Sequence, residues 1–346
     1  MNRRVRVLVV DDSAFARKVM REVLAADPRI EVIAIARDGL DALEKIVELA
    51  PDVVTLDLVM PQLDGIGVLD AIRERPNAPR VVVVTMSDAE SAMGVAALQA
   101  GAFDVVHKPT ALATDRLYEL GKELVQKVLL AAEAPAGPVG GIGRTSPVPK
   151  VVDSMRATRT TLLVVGASTG GPRAITQLLR ALPADFPLPV AVVVHMPPGY
   201  TDAFANRLDR ECALEVLEAR EGLPFIPGRV VIARAGVHLK LRTGPEGWTA
   251  MLDVQPMDAL HRPSVDALFT SAAEAAGAGT LGVVLTGMGS DGMEGARAIK
   301  TAGGRTLVEH ESTCVVYGMP RAVAEQGLAE ARIPMPEIAA AIIERL

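Results

Sequence analysis

Cysteine is almost absent: the 346 residues hold two, Cys212 and Cys314. Their separation fits neither a disulfide framework nor a metal or redox spacing, so each reads as a small buried side chain in a reducing compartment. Long apolar runs are missing as well. The opening stretch MNRRVRVLVVDDS turns from basic to apolar, but Asp11 and Asp12 end the run after about a strand's length. A signal peptide or membrane span needs more, so a cytoplasmic protein is expected, with membrane contact only through a partner. Runs of Lys and Arg are lacking too, and the net charge is −6. Nothing offers nucleic acid a basic working face, so no nucleic-acid partner is expected. What is present is a chain 49% hydrophobic and 23% charged, with 30 Gly and 24 Pro. That composition is globular and rich in turns, and the length calls for two domains.

From Val5 to about Leu130, short apolar runs (VRVLVV, EVIAIA, DVVTLD, RVVVVT, FDVV) alternate with segments of helical period. The runs read as buried parallel strands. The helices are expected over Ser13–Ala26, Leu40–Leu49, Gly65–Arg75, Glu90–Ala100 and Thr114–Leu130. The fold class is therefore α/β, opening with a five-stranded doubly wound domain over residues 4–130. Ligands of such a domain sit at the carboxyl ends of the strands. Pro and Gly crowd Ala134–Lys150, which reads as the heart of a flexible linker over 131–158. Alternation resumes from Thr161, and residues 159–346 read as a second, mixed but mainly parallel α/β domain. Helices are expected at Pro172–Leu182, Thr201–Arg210, Val265–Ala276 and Gly292–Ala302. Between Glu221 and Val254, strands follow one another with no helix, which predicts an antiparallel excursion.

In the first domain, Asp11 and Asp12 end the first strand and Asp57 ends the third. Neighbouring parallel strands finish side by side, so three carboxylates converge on one rim. Like charges that close need a cation, and an all-oxygen set with room for water suits Mg²⁺. A carboxylate held against Mg²⁺ is also a competent nucleophile toward phosphoryl groups. Lys108, after the fifth strand, supplies a positive charge for phosphoryl oxygens, and Thr85, ending the fourth, supplies a hydroxyl. Acids at strand ends can instead cap helices, but a DD pair, an Asp, a Thr and a Lys in successive strands are hard to assemble that way. LVVDDS, LDLVMPQLDG, VVTMS and HKP resemble the receiver domains of two-component response regulators. The resemblance implies that Asp57 is phosphorylated and that Asp11, Asp12, Asp57 and the Val59 carbonyl hold Mg²⁺. It also implies that Thr85 and Lys108 contact the phosphate.

In the second domain, VVGASTGGP places Ser168 on a sharp glycine turn between a strand and a helix. Gly166 to Gly170 spell G-x-S-x-G, the elbow that lifts a serine hydroxyl to the top of a sheet. GASTGG taken alone is equally good as a phosphate loop, though without the Lys of a P-loop. His195 ends the next apolar strand, and Asp291 lies in LTGMGSDG, after another. Asp291 alone could be no more than an N-cap for the helix starting at Gly292. Together, a nucleophile, an imidazole and a carboxylate reach one rim from three strand ends, as acyl transfer requires. The chain order Ser, His, Asp differs from that of α/β-hydrolases. His238, His261 and His310 show no metal spacing and read as structural or solvent-facing.

With both domains in view, the chain resembles the chemotaxis response regulator protein-glutamate methylesterases. GASTGGP, HMPPGYT, HRPSVDALF, LTGMGSDG and VVYGMPR carry that resemblance. It implies hydrolysis of γ-glutamyl methyl esters on chemoreceptor cytoplasmic helices to glutamate and methanol, and deamidation of selected glutamines. Ser168 is implied as nucleophile, His195 as base and Asp291 as orienting acid. Thr169 and Met288 are implied beside the oxyanion through their backbone. The implied partners are methyl-accepting chemoreceptors as substrate and the pathway's histidine kinase as phosphodonor. The esterase reaction is expected to need no cofactor. Two segments depart from the family pattern: VEHES from Val308 and ARAG from Ala233. A ligand-binding module without chemistry and a transcriptional regulator are the alternative readings. No helix-turn-helix with a basic recognition helix supports the second.

Overall fold

The computed structural model describes residues 3–85, 91–108, 114–134 and 159–346, apart from the side chains of 114–120. The chain divides into two compact units, Met1–Gly137 and Pro138–Leu346. The expected linker lies outside the described residues from 135 onward. Its first residues, 131–133, instead close a helix. Leu124, Val128 and Ala131 are all fully buried, so the apolar stripe continues past the expected boundary.

The first unit runs β1 (Val5–Val10), α1 (Ala14–Ala25), β2 (Ile30–Ala36), α2 (Gly39–Leu49), β3 (Val53–Leu56) and α3 (Gly65–Ile72). It continues through β4 (Arg80–Thr85), α4 (Ser91–Ala100), β5 (Asp104–His107) and α5 (Thr114–Glu133). The five strands are parallel in the order β2-β1-β3-β4-β5. They are apolar on both sides because helices cover both faces. Three helices start on side-chain caps: Ser13 Oγ accepts from Ala16 N, Asp38 from Asp41 N and Asp64 from Gly67 N. Each cap is worth ~1 kcal/mol and fixes where its loop ends. Strand order reverses between β1 and β3, which opens a crevice at their carboxyl ends.

The second unit runs β6 (Leu162–Ala167), α6 (Gly171–Ala181), β7 (Val190–Val194), α7 (Tyr200–Glu211), β8 (Glu215–Glu218) and β9 (Arg229–Ile232). There follow β10 (His238–Gly244), β11 (Gly247–Asp253), α8 (Val265–Ala276), β12 (Thr280–Val284) and α9 (Met293–Thr301). The unit ends with β13 (Arg305–Glu309), α10 (Met319–Glu325), β14 (Ala331–Ile333) and α11 (Ile338–Ile343). Seven strands form one parallel sheet, β14-β13-β12-β6-β7-β9-β8.

The antiparallel excursion is narrower than expected over Glu221–Val254. Among the described strands only β10 and β11 pair antiparallel, as a separate hairpin with one further antiparallel bridge, Pro224 to Thr249, whereas β9 is parallel to β7 and β8. A parallel return usually needs a helix. Here the segment between β8 and β9 is pinned on the hairpin instead. Gly222 N donates to Ala250 O, Phe225 N to Trp248 O, and Ala250 N to Leu223 O. That borrowed ladder satisfies the backbone of a helix-free crossover. α8 lies between the hairpin and the main sheet, with Leu268, Phe269 and Ala272 fully buried in the same core as Leu239 and Val164. Each such large apolar side chain contributes about 1.5–3 kcal/mol by leaving water. The packing of α8 sets where its N-terminus lies, and that end reaches the rim described next.

Candidate functional site

The first unit gathers its acids by strand register. Val10 pairs with Leu56, so Asp11 and Asp57 follow at the same level, and Asp57 N donates to Val10 O. Oxygens of Asp11, Asp12 and Asp57 all lie within 4.8 Å of one another. Asp11 and Asp57 are buried, whereas Asp12 is exposed. Backbone donors steady the cluster: Ser13 N reaches Asp11 Oδ1 and Leu58 N reaches Asp57 Oδ1, each at 2.8 Å. The Lys108 ammonium donates to Asp57 Oδ2 at 2.8 Å and also to Asp11 Oδ2. Burial raises the Asp57 pKa and the charge of Asp11 adds to this, so the carboxyl stays above its ordinary value despite Lys108. Lys108 takes its place because its N–H donates to Thr85 O at the end of buried β4. Val59 is exposed just past Asp57. Gly65 lets α3 close on this turn, since a Cβ there would come within 2.5 Å of Asp57 O. The donor set is all oxygen and has one solvent-facing member, and it fits a hard cation that keeps several waters.

The second rim is built in the same way from different chemistry. Ala167 pairs with Val194, so Ser168 and His195 follow side by side, with His195 N donating to Ala167 O at 3.1 Å. On the other flank of β6, Leu285 N donates to Gly166 O and Ser168 N to Thr286 O. Ser168 is half-buried on its turn, which closes through Gly171 N to Ser168 O at 2.6 Å. Gly170 makes that turn at φ 79°, a conformation that side chains resist. Gly287 is needed for closeness instead: a Cβ would strike Met319 Sδ and lie 2.8 Å from Ser168 Cβ.

His195 Nε2 lies 2.8 Å from Asp291 Oδ2. Asp291 does not cap its own helix, which starts on Gly292 without a side-chain cap. It caps α8 instead, accepting from Ser264 Oγ, Val265 N and Asp266 N at 2.8–2.9 Å. Asp266 returns the arrangement by accepting from Gly292 N and Gly295 N at the start of α9. Burial works against ionising Asp291, yet the hydrogen bond and charge of His195 and the two N–H groups hold its carboxyl well below the usual range. Asp266 moves the other way, up to about 6, through burial and the Asp291 charge beside it. An ionised Asp291 only accepts, so the Nε2 that meets it carries a hydrogen, and in the neutral tautomer consistent with this bond the lone pair is on Nδ1. Nδ1 is buried and, among the described residues, has no hydrogen-bond partner; the Ser168 hydroxyl does not close that bond. Thr169 is buried with its carbonyl accepting from Thr286 Oγ1, and Met288 is half-buried beside Gly287.

Three features of this rim lay outside the sequence reading. His261, read as structural or solvent-facing, stacks on His195 with ring centroids 4.1 Å apart. Ser264 and Asp266 hold the carboxylate that holds His195, and a Ser-x-Asp opening a helix was the available signal. Thr286 ties Ser168 and Thr169 to β12, and its place at a strand end before a glycine turn was the clue. His238, also read as structural, is buried and accepts from Ser264 N.

Residues 163–342 match the CheB methylesterase family and residues 7–119 the response regulator receiver domain. The chain belongs to the CheB methylesterase family. A Myxococcus xanthus protein, named protein-glutamate methylesterase/protein-glutamine glutaminase 5, is 58% identical over 96% of this chain and 95% of its own. An Anaeromyxobacter dehalogenans relative with the same name, number 4, is 43% identical over 99% of this chain and 95% of its own. The crystal structure of the Thermotoga maritima CheB methylesterase catalytic domain is 41% identical and covers 55% of this chain and 100% of its own, at a TM-score of 0.53. This CheB-family chain is thus an enzyme with a receiver domain at its N-terminus and a mainly parallel α/β domain behind it. Among the described residues, no helix is long and apolar enough to cross a membrane.

Proposed function

We propose that residues 159–346 hydrolyse glutamate γ-methyl esters on the cytoplasmic helices of chemoreceptors, and selected glutamine amides, by a Ser-His-Asp mechanism. The observation that carries this reading is a histidine oriented by an ionised carboxylate, with its other nitrogen buried and unpartnered one strand from Ser168. His195 Nδ1 takes the Ser168 Oγ proton as the oxygen attacks the ester carbonyl. Asp291 steadies the imidazolium that forms. The oxyanion develops beside the backbone of Thr169 and Met288, where fixed dipoles lower the barrier without reorganising. Collapse expels the methoxy group, which leaves as methanol with the proton from His195. Water then attacks the acyl carbon and gives a proton to His195, and His195 returns that proton to Ser168 Oγ as the acyl–oxygen bond breaks and glutamate leaves. A glutamine follows the same path with ammonia leaving.

The receiver domain, residues 4–130, is proposed to gate this reaction by accepting a phosphoryl group on Asp57 from the pathway's histidine kinase. Mg²⁺ held by Asp11, Asp12, Asp57 and the Val59 carbonyl would offset the charge gathered at this rim. Thr85 and Lys108 contact the added phosphoryl oxygens, and Lys108 already bridges Asp57 and Asp11. The protein acts in the cytoplasm and meets the membrane only through receptors. Methanol released from methyl-labelled receptor fragments, with and without a small phosphodonor, tests both halves. No methanol from the intact protein under either condition would discard the esterase reading. Equal release under both would discard the gating.

A further inference from the structure

One buried acid of the second unit has no part in the reaction as described. Glu309 ends β13 inside the segment VEHES and is 1% exposed. Its Oε2 accepts the backbone N–H of Thr286 at 2.8 Å. Thr286 is itself buried and joins three chain segments. Its carbonyl accepts from Ser168 N at 3.0 Å, its hydroxyl donates to Thr169 O at 3.0 Å, and the same hydroxyl accepts from Val316 N at 3.0 Å. Gly287 N in turn donates to Val316 O, and Gly287 O accepts from Gly318 N and Met319 N. The turn carrying Ser168 and Thr169 and the turn carrying Met288 therefore share one anchor. Glu309 holds that anchor from behind.

A carboxylate is an expensive group to bury for simple packing. Burial pushes the Glu309 carboxyl up to about 7, against the lowering pull of the Thr286 N–H, the Thr313 hydroxyl and the Cys314 thiol. β14 on the other flank meets this segment through the backbone, with His310 N donating to Ile333 O. A shorter or apolar residue would leave the Thr286 N–H buried without an acceptor, a group the fold must otherwise satisfy. The Ser168 turn tolerates little displacement, because Gly287 already approaches Ser168 too closely for a Cβ.

We infer that Glu309 is a positioning residue of this active site, acting through the Thr286 backbone to hold Ser168 and the Thr169 and Met288 backbones in reacting geometry. The inference rests on the Ser-His-Asp reading and deepens it. Removing the acceptor lets the shared anchor shift, and displacements of about 1 Å at such sites cost up to about 10²-fold in rate. Substrate contacts made elsewhere stay, so the loss falls on kcat and not on KM.

The test uses the intact protein, a methyl-labelled receptor fragment and a serine-directed fluorophosphonate, with melting curves for every variant. Glu309→Gln keeps an acceptor oxygen for Thr286 N–H and is expected to stay within threefold of wild type in kcat. Glu309→Ala is expected to lose roughly ten- to hundredfold in kcat and in labelling rate, with KM within twofold. Thr286→Val keeps the side-chain shape, removes only the hydroxyl bridge and is expected to fall in the same way, so it decides the matter if Glu309→Ala does not fold. A folded Thr286→Val with wild-type kcat would overturn the inference, as would Glu309→Gln falling as far as Glu309→Ala. Ser168→Ala is the control. If it labels and hydrolyses like wild type, the triad reading fails first and this inference fails with it.

Discussion

Two sheets in this chain end in polar rims, and they solve the problem of gathering charge in opposite ways. At the receiver rim, Asp11 and Asp57 are buried as like charges, and Lys108 bridges them. At the second rim, Asp291 is met by a histidine, a hydroxyl and two backbone N–H groups. The first cluster has a donor on each buried carboxylate oxygen, yet burial and the neighbouring Asp11 charge push Asp57 up in pKa. The second is well satisfied, and Asp291 is pushed down. A crowded set of buried acids with a raised pKa is placed to respond to a new cation or phosphoryl group, whereas a carboxylate held low by several donors is placed to keep its histidine partner still. One geometry therefore suits a switch and the other a reaction.

The sharpest way to break this contrast is at Ser168. Ser168→Ala should lower kcat for ester hydrolysis on the order of 10⁴–10⁶-fold, while Asp57 phosphorylation is unaffected. Methanol release and phosphodonor-dependent phosphorylation, measured on the same preparation, check both statements. More than a tenth of wild-type hydrolysis would sink the assignment.

Asp291→Asn is expected to cost about 10⁴-fold, because an amide no longer fixes which His195 nitrogen carries the proton. It also removes a charged cap from α8, so a drop in melting temperature should accompany the kinetic loss. Near-wild-type kcat with only a lowered melting temperature would reduce Asp291 to a helix cap.

At the receiver rim the expected effects are smaller and regulatory. Asp57→Asn should keep basal hydrolysis and lose its response to phosphodonor, and chelating Mg²⁺ should abolish that response in wild type. A fragment from Val151 to Leu346 should exceed the unphosphorylated intact chain in rate. Moving a domain pair from 1% to 99% active needs about 5.5 kcal/mol, so a weaker bias gives partial activation. A fragment slower than the unphosphorylated whole would make the receiver an activator.

The smallest effect concerns stability against pH. Glu309 has an ordinary value of 4.5 and is raised to about 7 in the fold. A raised acid contributes stability that is fully present below about 4.5 and lost as pH rises through about 7. Glu309→Gln cannot titrate, so its stability relative to wild type should climb across that window by up to ~3 kcal/mol. Urea melts at pH 4.5 and 8.5 measure this, and parallel curves at the two pH values would place the titration elsewhere.

Much of both rims could be read from the chain. Alternating apolar runs named the strands, and strand-end Asp11, Asp57, Ser168 and His195 follow because parallel strands finish side by side. Local signals such as the glycine turn at Gly170 and the helical period of α8 depend on near neighbours, which a sequence displays directly. Contacts between distant segments were not legible in that way. The crossover from β8 to β9 looked antiparallel because its backbone partners lie in a hairpin further along the chain. In sequence Asp291 reads as the orienting acid, with a cap for the adjacent helix as the alternative, but only the packing of α8 brings that helix's N-terminus to it, together with Asp266. Tertiary packing also decided that His195 turns Nε2 to Asp291 and that His261 stacks on it. It likewise set Glu309 behind Thr286. A sequence states which residues stand at a strand's end, while the burial that shifts a pKa or chooses a tautomer exists only once distant segments have closed around it.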